Sequence, residues 1–235
     1  MMNILSDVLH ALREDYPDLE YVTQVKSGKE ATVHIVFAEG KYMALKVYRP
    51  NTKNAARGSY MTIGGLDKRS QRALVNRSRH GLKLERELWT NKEFEVLTQL
   101  NSLGAAVPEV YGTVENAVLM EFIGEGQAAA PRLADVKLDL ETAQQIFQTL
   151  LDNIQLFCEL DIVHGDLSPF NILVLNQKPV IIDFPQSMSL RKNPLARERL
   201  LRDLRNVFEY FETQLQVEWG GVARKYEHYL DNIMY

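Results

Sequence analysis

The chain has almost no sulfur chemistry to offer. One of its 235 residues, Cys158, is a cysteine. Neither an internal disulfide nor a cysteine-based zinc site can form, and a reducing compartment fits best. Cys158 continues the series Ile146, Phe147, Leu150, Leu151, Ile154, Phe157, which recurs at helical spacing. That marks it as a core thiol rather than a nucleophile. Long apolar runs are missing too, and none approaches the ~18 residues of a membrane span. The start, Met1-Met2-Asn3-Ile4-Leu5-Ser6-Asp7, has no basic n-region and no continuous apolar stretch. The cytoplasm is therefore the expected location, with no membrane partner. Charge of one sign is also lacking. With 27 Lys and Arg against 31 Asp and Glu the net charge is −4, which excludes a polycation built to coat nucleic acid. No Gly-x4-Gly-Lys-Ser/Thr occurs, which excludes a Walker A loop.

What is present is ordinary globular material, 46% hydrophobic and 25% charged, enough for one large domain or two small lobes. Ile4, Leu5, Val8, Leu9 and Leu12 lie on one face of an expected docking helix over 3–15. The period then changes. Residues 22–25, 32–37 and 42–48 read as strands of an antiparallel meander, turned at Ser27-Gly28 and Glu39-Gly40. A helix over about 85–102 turns Leu88, Trp89, Phe94, Leu97 and Leu100 inward, and two strands, 109–114 and 117–122, follow. Gly124-Glu125-Gly126 reads as a flexible connector. It divides a β-rich lobe, 1–123, from a helical lobe, 124–235. The second lobe opens its main helix over 140–160. A further helix is expected to start at Asn193-Pro194, a capping side chain followed by proline, with Leu200, Leu204, Val207, Phe208 and Phe211 buried.

Residues 49–84 differ in kind. They hold nine Lys or Arg and one acid, Asp67, so the segment carries +8 and the rest of the chain −12. It reads either as a solvated loop or as an anion-binding surface for phosphates or RNA.

The chemistry concentrates in Val163-His164-Gly165-Asp166-Leu167-Ser168-Pro169-Phe170-Asn171-Ile172-Leu173-Val174 and, twelve residues after Asn171, in an apolar strand ending Ile181-Ile182-Asp183-Phe184. An Asp, an Asn five positions on and a later strand-end Asp suit phosphoryl transfer from ATP. Asp166 would orient or deprotonate the acceptor. Asn171 and Asp183 would hold Mg²⁺, an ion that takes few protein oxygens and keeps its waters. His164 reads as a loop-orienting or core residue. Upstream, Lys46 sits inside the apolar strand Ala44-Leu45-Lys46, where burial asks for a phosphate or carboxylate partner. Glu93, one turn from both Trp89 and Leu97, is the expected carboxylate, and snorkelling to the surface is the alternative for Lys46. Ahead of that strand, Ser27-Gly28-Lys29-Glu30-Ala31-Thr32-Val33 can turn backbone N–H groups toward phosphates.

These residues make the chain resemble the RIO family of atypical serine/threonine protein kinases. The resemblance rests on Ser27-Gly28-Lys29-Glu30-Ala31, Leu45-Lys46-Val47-Tyr48, Trp89-Thr90-Asn91-Lys92-Glu93, Ala130-Pro131-Arg132-Leu133, His164 to Asn171, and Ile181-Ile182-Asp183-Phe184-Pro185-Gln186-Ser187. It implies an α+β, two-lobed kinase-like fold with an antiparallel β lobe and a mainly helical lobe. ATP with Mg²⁺, or alternatively Mn²⁺, would be the cofactor pair. Ser27, Gly28, Lys29, Glu30, Ala31 and Val33 would cover the nucleotide, and Met120, Glu121 and Ile123 would meet its adenine. Lys46 and Glu93 would meet the phosphates, Asp166 and Asp183 would be catalytic, and Asn171 and Asp183 would bind metal. Pro185 follows Phe184 where most kinases have glycine, and no Ala-Pro-Glu follows. The peptide-binding activation segment is therefore expected to be absent. Only ~20 residues precede the first strand, which places the chain nearer the branches without a winged helix.

The resulting expectation is an ATP-dependent kinase acting on a protein or on itself. The alternatives are an ATPase switch gating a ribosomal or RNA partner through 49–84, and a small-molecule phosphotransferase of the aminoglycoside or choline type.

Overall fold

The computed structural model describes residues 4–28, 30–49, 67–76 and 78–231. They form two compact units, Met1–Gln99 with Pro108–Ala129 and Leu100–Val107 with Ala130–Tyr235. The change of unit comes at Ala129/Ala130 rather than after Ile123, for a hydrogen-bonding reason. Gly124–Glu125 (β6) pairs with Ala128–Ala129 (β7). A Cβ on Gly124 would stand 2.2 Å from the Ala128 carbonyl oxygen, so this is a tight hairpin and not the loose connector expected. The stretch 100–107 joins the second unit because the Ile181 N–H donates to the Ala106 carbonyl and the Ala106 N–H donates to Asn153 Oδ1, both at 2.7 Å.

In the first unit, α1 (Ile4–Asp15) precedes β1 (Glu20–Ser27), β2 (Ala31–Ala38) and β3 (Lys41–Tyr48). The helices α2 (Lys68–Val75) and α3 (Arg79–Ser102) come next, then β4 (Val110–Val114) and β5 (Ala117–Glu121). The five strands form one antiparallel sheet in the order β1-β2-β3-β5-β4. Glu39 and Gly40, both at positive φ, close the β2–β3 hairpin in two residues, the geometry that matches strand twist. Central strand β3 alternates. Met43, Leu45 and Val47 join Val8 and Leu12 of α1 and Ala117 and Leu119 of β5 in one apolar core. Ala44, Lys46 and Tyr48 therefore point to the opposite face. The docking helix expected at the start is thus the lid of this core. On α3, Trp89, Leu97 and Leu100 are buried as expected, while Leu88 and Phe94 are half-buried, and the helix begins six residues before the expected start. Of the basic segment, 50–66 and Arg77 lie outside the described residues, including Lys53 and Arg57. Lys68, Arg69 and Arg72 stand exposed on α2, capped by Asp67.

The second unit is mainly helical. It contains α4 (Leu140–Glu159), α5 (Ala196–Leu215) and α6 (Trp219–Asp231). Asp139 caps α4 by accepting the Thr142 N–H at 2.8 Å. Phe147 of α4 meets Phe211 of α5 at 5.2 Å between ring centroids. The Tyr226 hydroxyl of α6 donates to the Leu151 carbonyl at 2.6 Å. Cys158 is buried in the α4 core and its thiol is pushed up to about 12 by desolvation, as a core thiol should be. Asn193 caps differently from expectation. Its Oδ1 accepts the Leu195 N–H at 2.9 Å, so α5 starts at Ala196 and Pro194 lies in the approach rather than in the first turn. Between α4 and α5 run Ile162–Val163 (β8), Ile172–Leu175 (β9), Lys178–Ile181 (β10) and Met188–Ser189 (β11). β9 pairs with β10 and β8 with β11. Together these elements make the α+β, two-lobed kinase-like fold. No helix among the described residues is long and apolar enough to cross a membrane.

Candidate active site

The candidate groups are distributed over both units. In the first, Lys46 on β3 lies opposite Val33 of β2 and Val118 of β5 and is 8% exposed. Its Nζ donates to Oε1 of Glu93 on α3 at 2.6 Å, and Glu93 is 1% exposed. The lysine is therefore paired inside the protein and does not snorkel. The hydroxyl of Tyr48, two residues along the same strand face, donates to the other oxygen, Glu93 Oε2. A buried carboxylate is tolerable when both oxygens are occupied and a cation is adjacent.

The β1–β2 turn is closed by the Gly28 N–H donating to the Ala31 carbonyl at 2.9 Å. Arg49, the residue after β3, holds the turn from outside. Its backbone N–H donates to the Glu30 carbonyl at 2.8 Å and its guanidinium to Ser27 Oγ at 2.9 Å. The turn residues Ser27, Gly28, Glu30, Ala31 and Val33 are thus tied to the Lys46 strand, and Lys29 lies outside the described residues. Met120 and Glu121 end β5, paired with Ala44 and Met43, and Ile123 is buried just beyond.

In the second unit a hairpin assembles the acidic groups. Asn176 and Gln177, both at positive φ, connect β9 to β10 in two residues. Pairing runs back to Ile172 opposite Ile181, and the Ile182 N–H donates to the Asn171 carbonyl at 3.0 Å. Asn171 and the residue before Asp183 are therefore neighbours although far apart in sequence. The Asn171 amide nitrogen donates to the Asp166 carbonyl at 2.9 Å, so its oxygen is the end that can meet a cation. Asp183 takes φ +74, a left-handed conformation that non-glycine residues adopt at a cost and that clusters at functional sites. One amide oxygen and one carboxylate are a donor set that suits Mg²⁺. The charge of Asp183 reaches Asp166. Desolvation raises the Asp166 pKa most, Arg202 opposes it, Asp183 raises it further, and Arg199 lowers it. The Asp166 side chain is 61% exposed, and Arg202 Nη2 donates to its Oδ1 at 3.3 Å.

The loop is held from beneath by its own His164 and by residues of α5 that its sequence does not mark. His164, 2% exposed, accepts the Asp166 N–H at Nδ1 (3.3 Å), so Nε2 carries the hydrogen and donates to the Ile182 carbonyl at 3.1 Å. It is a structural tie between loop and hairpin. Asp203 of α5, 1% exposed, accepts the Gly165 N–H at 2.7 Å and the Leu167 N–H at 3.0 Å. Burial pushes its pKa up to about 7 against the pull of these two donors. Arg202 donates to the Gly165 carbonyl, and Asn206 Nδ2 donates to that of Leu167 at 2.8 Å. Gly165 sits at φ +82, where a Cβ would stand 2.6 Å from the Gln186 carbonyl oxygen, so glycine is required there. Asp203 could have been found in the sequence. It is an acid three residues after Leu200 and four before Val207, inside the stripe expected to be buried. Replacing Asp203 by Ala leaves two buried N–H groups unsatisfied and is expected to lower stability by about 2–5 kcal/mol. Denaturant unfolding of the purified chain measures it.

The RIO domain family model matches residues 32–219. RIO-type serine/threonine-protein kinase Rio1 of Methanocaldococcus jannaschii is 34% identical over 197 residues, 82% of this chain and 63% of the relative. Serine/threonine-protein kinase RIO1 of Caenorhabditis elegans is 30% identical over 217 residues, 89% and 40% of the two chains. Serine/threonine-protein kinase RIO3 of Mus musculus is 37% identical over 137 residues, 58% and 25% of the two chains. The chain spans less than two thirds of the length of these curated relatives. The family match runs from the second strand to the start of the last helix, across both the Lys46–Glu93 pair and the Asp166–Asp183 hairpin, and the chain belongs to the RIO domain family.

Proposed function

We propose that the protein is an ATP- and Mg²⁺-dependent serine/threonine kinase of the RIO type, with a protein or itself as acceptor. The observation that carries the reading is the hairpin tie that brings Asn171 and Asp183 to the Asp166 loop, with Lys46 and Glu93 paired in the other unit. The names of the relatives support the activity. Asp166 accepts the proton of a seryl or threonyl hydroxyl as its oxygen bonds to the γ-phosphorus and the bond to the β-bridging oxygen breaks, releasing ADP. Lys46, aimed by Glu93, binds phosphate oxygens. Ser27, Gly28, Lys29, Glu30, Ala31 and Val33 cover the nucleotide, and Met120, Glu121 and Ile123 receive the adenine. Asn171 and Asp183 would hold Mg²⁺, which neutralises charge on the phosphates; Mn²⁺ would suit the same oxygens. A cytoplasmic setting rests on the cysteine count. No described feature favours an RNA-gated ATPase over the kinase.

Incubation with labelled ATP tests the class of acceptor: label on the chain or on a second protein supports the kinase, and free phosphate alone overturns it. Asp166→Asn is expected to lower phosphoryl transfer by about 10²–10⁴-fold while nucleotide binding survives. Asp183→Ala is expected to weaken Mg²⁺-dependent ATP binding by at least about tenfold, read by titration with and without the metal. The working form of Asp166 is the carboxylate, so activity falls as pH drops through its raised pKa. The acidic limb of the kcat/KM profile should therefore lie above the ordinary carboxylate range. Arg202→Gln removes a charge that lowers this pKa, and should move the limb to higher pH.

A further inference from the structure

We propose that Tyr48 is a positioning residue for the phosphate-binding lysine, holding Glu93 in place through its second oxygen so that Lys46 can turn its donors to the nucleotide. The inference rests on the kinase reading and extends it to a residue to which that reading gives no contact with nucleotide or metal.

Lys46 and Tyr48 are i and i+2 on β3, so both leave the same face of the strand. They meet the two oxygens of one carboxylate, Lys46 at Oε1 and Tyr48 at Oε2. The two donors differ in stiffness. Lysine reaches Glu93 along a flexible four-carbon stem. Tyr48 is a rigid ring, fully buried, pinned on several sides before its hydroxyl is considered. The ring packs edge-on against Trp89 of α3 with centroids 6.1 Å apart, one helical turn before Glu93. The Tyr48 N–H donates to the Asn116 carbonyl at 2.9 Å, and the Asn116 side chain donates back to the Tyr48 carbonyl. Asn116 is itself buried in the β4–β5 turn, directly after Glu115 at φ +54. The hydroxyl is therefore a fixed point built from β3, α3 and the β4–β5 turn.

The chemistry makes such a point useful. An ammonium has three donors and can serve both carboxylate and phosphate. When it leans toward phosphate, a carboxylate bound by lysine alone is left buried and poorly satisfied, which is costly. A neutral phenol on the other oxygen keeps Glu93 satisfied and oriented without adding positive charge that would compete with Lys46. Glu93 stays where it aims the lysine, and binding of phosphate need not rearrange the helix.

The test is Tyr48→Phe in the full chain, which keeps the ring against Trp89 and removes only the hydroxyl. Affinity for Mg-ATP and kcat/KM for ATP are expected to fall by about 3- to 30-fold, the range for one hydrogen bond to a charged group acting through a neighbour. KM for ATP should carry most of the loss and kcat little of it. In a Glu93→Gln background the same substitution should cost less than twofold, because the carboxylate that Tyr48 holds is gone. Loss of thermal stability in Tyr48→Phe with unchanged ATP affinity and kcat/KM overturns the inference in favour of a purely structural tyrosine. An equal loss in the Glu93→Gln background overturns it too. Failure of the wild-type chain to bind Mg-ATP overturns the kinase reading and this inference together, and is recognised before any variant is compared.

Discussion

A carboxylate is buried at Glu93, and much of the first unit is arranged to make that tolerable. It is 1% exposed, with Lys46 at 2.6 Å on one oxygen and the Tyr48 hydroxyl on the other. Both donors come from β3, the middle strand of the sheet. Its alternation devotes one face to the apolar core under α1 and the other to the charge pair. Each member offsets the cost of burying the others, which is why such clusters hold one geometry or none. The sheet, α3 and the β4–β5 turn are thus committed to presenting one lysine in one place.

The second unit solves a different problem with similar means. Its Asp166 loop is irregular backbone near the surface, which is ordinarily mobile. Here the backbone is clamped. Asp203 takes two N–H groups, Arg202 and Asn206 take two carbonyls, and His164 links loop to hairpin. Every clamp but His164 comes from one face of α5, a helix that also packs its aromatic residues against α4 and α6. The exposed carboxylate of Asp166 is therefore carried on a loop whose backbone is held from a buried frame.

The RIO domain family match spans both of these groups of residues. The two sets of groups share a design. In each, a buried side chain steadies its neighbour: the Tyr48 hydroxyl donates to Glu93, and Asp203 accepts from the backbone of the Asp166 loop. The first of these side chains lies in a stretch that the family resemblance includes, the second in a helix that it does not mark.

Much of this was already legible in the residues. Period-2 alternation and Glu39-Gly40 determine the β2–β3 hairpin, because side-chain burial and positive φ are local demands. The apolar run around Cys158 determines α4 for the same reason. The pairing of Lys46 with Glu93 follows from a charge inside an apolar strand, which must have a partner. Other features depended on which groups meet in space, some of them near in sequence and some far apart. The Gly124–Ala129 hairpin looks like a flexible glycine connector until Ala128 is seen to occupy the space of a Cβ. Asn193 looks like a helix cap until its oxygen is found on the N–H of Leu195, just before the helix begins. Asp203, Arg202 and Asn206 carry no local signal of the backbone groups they bind, which lie 36 to 39 residues away. Sequence determined which residues must be buried, turned or paired, and for Lys46 also with whom; tertiary structure decided the partners of the catalytic-motif loop, because a hydrogen-bond partner there is chosen by where two distant segments come to rest and not by the periodicity of either.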